Sequence, residues 1–94
     1  MQTERGWAPP RRVWGPWVEF GAIHGKRAFK IEFDSISNAP SSFDAEVKYW
    51  DGPKLRTDIT HGPGYLSFTA QCMCIQRIRF RSHTIGQMIR IFIK

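Results

Sequence analysis

The chain has 94 residues, of which 41% are hydrophobic and 23% charged, with a formal net charge of +6. That suffices for one compact domain and excludes barrel enzymes and doubly wound nucleotide-binding folds, which need far more chain. Ten Ile and three Val against two Leu, with five Thr and thirteen aromatics, suit half-buried pleated strands rather than helices.

The first segment in chain order, residues 1–16, is predicted to be an extended arm. Pro9-Pro10 and Gly15-Pro16 bracket a stretch that cannot be helical. Trp7, Trp14 and the adjacent Trp17 are poor residues for a solvated tail, so Trp14 is expected to dock on the domain or on a neighbouring subunit. With Met1 as the native start, the lack of a basic, apolar leader points to the cytosol. No apolar run approaches the roughly 20 residues that span a bilayer.

From Trp17 onward, strand-like runs alternate with turn signals. Trp17–Ile23 leads to an expected turn at His24-Gly25. The return run, residues 27–36, alternates Phe29, Ile31 and Phe33 with Lys30, Glu32 and Asp34, the period-two pattern of a half-buried strand. Residues 37–42 read as a loop. Next, Ala45, Val47 and Tyr49 share one face, opposite Asp44, Glu46, Lys48 and Trp50, before a reversal at Asp51-Gly52-Pro53. Residues 54–60 form a further strand ended by His61-Gly62-Pro63-Gly64. Residues 65–74 form another, and a last hairpin pairs residues 75–83 with 87–94 around Thr84-Ile85-Gly86.

These elements predict an all-β domain over residues 17–94, an antiparallel two-sheet β-sandwich of about seven strands, immunoglobulin-like or jelly-roll, preceded by the arm. A small Greek-key barrel is the alternative.

Charge supplies the clearest functional signal. All eight acidic residues lie at or before Asp58, and the five Lys/Arg after it have no acidic company. If Ile78, Phe80, Ile89, Ile91 and Ile93 face the core, parity turns Arg77, Arg79, Arg81 and His83 outward, with Arg90 and Lys94 beside them. Phe92 is interleaved as a stacking surface. Such a panel suits a polyanionic polymer: nucleic acid, an acidic polysaccharide or an acidic protein face. The competing expectation is that Glu32, Asp44 or Glu46 on neighbouring strands pairs these cations internally.

Trp14, Trp17 and Trp50 are candidates for stacking neutral glycans or for an interface. The arm and the sheet edges also suit a structural homo-oligomer. No nucleophile elbow or paired-carboxylate cleft is present, so a non-catalytic binding or assembly module is expected. No cofactor is implied. Cys72 and Cys74, at about 7 Å along an extended strand, are expected to be buried free thiols. Their Cys-x-Cys spacing with His24, His61 and His83 matches no zinc knuckle, so no metal site is expected.

Overall fold

Alternating apolar side chains produce strands throughout the chain, and the computed structural model describes residues 2–36 and 42–94. The strands are β1 (Gln2–Ala8), β2 (Val18–Ser35), β3 (Phe43–Asp51), β4 (Lys54–Gly62), β5 (Gly64–Ser82) and β6 (Gln87–Ile93). All neighbours run antiparallel. Together they make a single six-stranded sheet, in the order β1-β6-β2-β5-β3-β4, curled into a half-barrel.

The expected seven strands in two sheets become six in one because two pairs of runs fuse and the arm contributes β1. The predicted turn at His24-Gly25 is not a reversal: His24 lies opposite Met73 and Gly25 opposite Cys72, so the chain continues as one 18-residue strand. Its partner β5 is likewise continuous over 19 residues. Two long paired strands bend where they would otherwise break. Gly21, at φ +63°, carries a bulge between Phe20 and Ile23. A second bulge lies between Lys48 and Asp51 on the other side of β5.

Gln76, fully buried, serves both irregularities: its Oε1 accepts from the Trp50 backbone N–H at 3.2 Å and its Nε2 donates to the Gly21 carbonyl at 3.5 Å. Backbone groups that bulging removes from the ladder thereby regain partners.

The predicted C-terminal hairpin is also replaced. β6 pairs with β1 and β2, not with β5. The reason is occupancy along Phe80–Ser82. One side of that stretch is taken by β3. On the other side, Arg12 N–H donates to Ser82 O at 2.8 Å and Gly15 N–H to Phe80 O at 2.8 Å. Thr84–Gly86 therefore leads away to a different position in the sheet.

The first half of the arm is a strand. β1 pairs with β6 from Gln2↔Ile93 to Ala8↔Gln87. Its inward face offers only small residues at Gly6 and Ala8, because Phe80 fills the space: a Cβ on Gly6 would sit 2.7 Å from the Phe80 ring. Arg11 and Arg12, at φ 63° and 59°, then turn the chain back along β5. Ser82 N–H donates to Pro9 O at 2.9 Å, tying the β1 end to the β5 end.

The core holds two aromatic groups, Phe20–Phe29–Phe68 with Tyr49 stacked on Phe68 at 4.2 Å, and Phe33–Phe43–Phe80. The isoleucines at 31, 78, 89, 91 and 93 are buried with them. The reversal at Asp51-Gly52-Pro53 joins β3 to β4, with Gly52 at φ +62°. Of the predicted loop at residues 37–42, all but Ser42 lies outside the described residues.

Candidate functional site

Parity on the three adjacent strands β4, β3 and β5 builds the outer face in rows. Asp44 stands between His61 and Arg81, Glu46 between Ile59 and Arg79, and Lys48 between Thr57 and Arg77. Trp50 lies opposite Leu55 on β4 and shares a shallow depression with Lys48, Leu55, Ile75 and Arg77. The inner face of the same strands carries Phe43, Ala45, Val47, Ile78 and Phe80 into the core.

Most of the predicted basic panel is internally paired. Arg79 lies 2.7 Å from Glu46 Oε1, and Arg81 Nε donates to Asp44 Oδ2 at 2.8 Å. Arg90 meets Asp34 at 3.0 Å, and Lys94 donates to Glu32 at 2.9 Å. The Lys94 hydrogen bond holds Glu32 below its ordinary value, and Asp34 raises Arg90 in the same way.

The panel is also divided. Arg77, Arg79 and Arg81 are on β5, whereas Arg90, Phe92 and Lys94 are on β6, which β5 does not border. Phe80 and Ile91 both approach Gly6 from within the core, so the outward residues beside them face away from each other. Phe92 is half-buried, with the Arg90 guanidinium 5.2 Å from its ring centroid.

The tryptophans separate likewise. Trp14 docks on its own domain, its ring 4.8 Å from the Arg79 guanidinium and 4.4 Å from that of Arg81. Trp17 lies 4.2 Å from Arg79 and 5.2 Å from the Lys48 ammonium. These rings cover paired arginines, cation over aromatic face. Trp50, 38% exposed, keeps an open face. Among the described residues, Arg77 is the one arginine of the predicted panel without a carboxylate at ion-pair distance; Glu19 stands across from it on β2 without joining it.

Asp44 anchors the other end of the face. Its side chain is almost fully buried, yet Oδ1 lies 2.6 Å from His61 Nδ1 and 2.9 Å from His83 Nε2. Burial pushes the carboxyl pKa up, but hydrogen bonds from Arg81, His61 and His83 outweigh it and hold the value at about 2. His83 is fixed by its backbone N–H, which donates to Ser42 O at 2.9 Å. Asp58 is the acidic residue nearest His61 in sequence, but it is not the partner of the two rings. The partner is Asp44, because Asp58 pairs with inward-facing Val47 and so lies on the opposite face of the sheet.

Cys72 and Cys74 form a disulfide rather than remaining free thiols, and Gln76 Nε2 lies 3.5 Å from Cys72 Sγ. Bending in β5 shortens their Cα separation to 5.3 Å, well inside the bridgeable range. Lys48 was absent from the predicted site; its place on the Trp50 face, in the same parity set as Asp44 and Glu46, was the available signal. Among the described residues no helix is long and apolar enough to cross a membrane. Compared with family models, curated proteins and solved structures, the chain matches none of them.

Proposed function

We propose that the protein is a non-catalytic binding module for an acidic polysaccharide, held on the outer face of β3 and β5 by Trp50, Lys48 and Arg77. One observation carries this reading: an open indole shares a single depression with two cations, Lys48 and Arg77, that have no carboxylate partner among the described residues. An aromatic ring stacks on the apolar face of a sugar, while the cations meet carboxylate or sulfate groups on the same residue or the next. The other predicted cations are engaged with Asp34, Glu32, Asp44 and Glu46, which removes their incentive to bind an external anion.

The test is binding of the full chain to a sulfated glycan and to a polyuronate, followed by tryptophan fluorescence across a salt series. Affinity is expected to fall steadily as salt rises, with Trp50→Ala weakening it roughly tenfold or more, as for the loss of one stacked ring. Salt-independent binding of an uncharged glucan would favour neutral-glycan stacking. Stronger binding to single-stranded nucleic acid than to either glycan would shift the polyanion class. No binding at about 20 mM salt, where screening is weak, would remove the proposal.

The assembly reading retains one support: β4 borders only β3, so its outer edge is open, with Leu55 and Ile59 exposed along it. Solution mass distinguishes it, since a monomer at high concentration excludes edge pairing. The link from Pro9 to Ser82 also favours the barrel-like alternative among the expected architectures.

A further inference from the structure

Outside the Trp50 depression, the described residues hold one convergence of metal-ligating atoms. Asp44 Oδ1, His61 Nδ1 and His83 Nε2 all lie within 4.8 Å of one another. They come from three adjacent strands and their ends: β3 supplies the carboxylate, β4 one imidazole and the residue just after β5 the other. Both imidazoles approach the same oxygen, at 2.6 and 2.9 Å. A ring nitrogen that points at a carboxylate oxygen is also aimed at the place where a cation shared with that oxygen would sit.

We infer that Asp44, His61 and His83 form a site for a borderline divalent transition ion such as Zn²⁺, Co²⁺ or Ni²⁺. Two imidazole nitrogens and one carboxylate oxygen suit these ions, whereas Mg²⁺ and Ca²⁺ demand oxygen-rich shells. Ligand bonds of about 2.0–2.2 Å require the two rings to move slightly apart from the carboxylate. His61 permits this, its side chain being 83% exposed on the surface.

The remaining parts of the arrangement fit the same role. Arg81 Nε donates to Asp44 Oδ2 at 2.8 Å, orienting the carboxylate and leaving Oδ1 for the ion. The Arg81 guanidinium is in turn held over the Trp14 ring at 4.4 Å. His83 is fixed through its backbone to Ser42. On binding, each imidazole carries its proton on the nitrogen turned away from the ion: Nε2 in His61 and Nδ1 in His83. Three protein ligands, with His61 open to solvent, leave further coordination positions to water or an anion.

A purely hydrogen-bonded cluster predicts something different, and the two separate in one titration. The full chain, stripped with a chelator and kept oxidised at Cys72–Cys74, is titrated calorimetrically with Zn²⁺ and followed optically with Co²⁺. One equivalent is expected to bind, and His61→Ala and His83→Ala are each expected to weaken binding at least tenfold. Intensified visible Co²⁺ absorption is expected from the wild type and absent from both variants. His24→Ala, whose ring lies elsewhere opposite Met73, is expected to bind as the wild type does. Asp44→Asn is the direct variant, but it also strands Arg81, so exposed His61 provides the decisive substitution. Absence of stoichiometric binding, wild-type affinity in His61→Ala or in His83→Ala, or loss of binding in His24→Ala would each overturn the inference. None of these outcomes bears on glycan binding at Trp50.

Discussion

Arg79 and Glu46 face each other directly across β5 and β3, with Arg79 Nη2 2.7 Å from Glu46 Oε1. The guanidinium is also flanked by the Trp14 and Trp17 rings, at 4.8 and 4.2 Å. A cation expected from sequence to be available for a ligand is instead the centre of an internal cluster that fastens the arm to the sheet.

Removing one member of this pair leaves either a buried Glu46 carboxylate or a half-buried Arg79 guanidinium without its partner. Glu46→Gln and Arg79→Met are each expected to lower unfolding free energy by about 1–3 kcal/mol. In urea denaturation the double variant should lose less than the sum of the two, by roughly 0.5–3 kcal/mol. Strict additivity would show that the pair contributes nothing as a unit.

Acid stability follows from Asp44. Its folded pKa is about 2 against an ordinary 3.8, so the unfolded chain takes up the proton first as pH falls. The stabilisation is full above roughly pH 5 and is lost progressively as pH falls through the folded value. Melting temperature measured between pH 6 and 2 is expected to decline more steeply in the wild type than in Asp44→Asn. Parallel profiles would contradict this role for the carboxylate.

Gly6 tests how β1 closes against the end of β5. A methyl group there meets the Phe80 ring at 2.7 Å, so Gly6→Ala is expected to cost about 1–3 kcal/mol by overpacking. Adding Phe80→Leu should recover part of that loss. If Gly6→Ala is neutral in thermal denaturation, β1 does not pack on Phe80 as described.

Much of the fold was legible where alternation was strong. Alternation puts Phe29, Ile31 and Phe33 on one face, and Ala45, Val47 and Tyr49 on another, and all are core residues. β1 was illegible because its inward positions, Gly6 and Ala8, are small to make room for Phe80, and a strand without an apolar face gives no period-two signal. His24-Gly25 has turn chemistry, but continuous pairing between β2 and β5 overrides it. The separation of β5 from β6 depends on backbone bonds from Arg12 and Gly15, which local pattern does not encode. The site was half legible: Trp50 and Arg77 were named for different ligands, and their meeting with Lys48 needed the strand order. The convergence of His61 and His83 on Asp44 likewise joins positions that no spacing rule connects.

The distinction between engaged and available cations is the centre of the account, and a set of single variants tests it. Binding of a sulfated glycan at low salt is to be measured for Arg77→Gln, Lys48→Gln and Arg90→Gln alongside the wild type. Arg77→Gln and Lys48→Gln are each predicted to weaken binding severalfold and to flatten its salt dependence, while Arg90→Gln, whose cation is joined to Asp34, leaves both unchanged. Equal losses in all three variants, or a loss confined to Arg90→Gln, would contradict it.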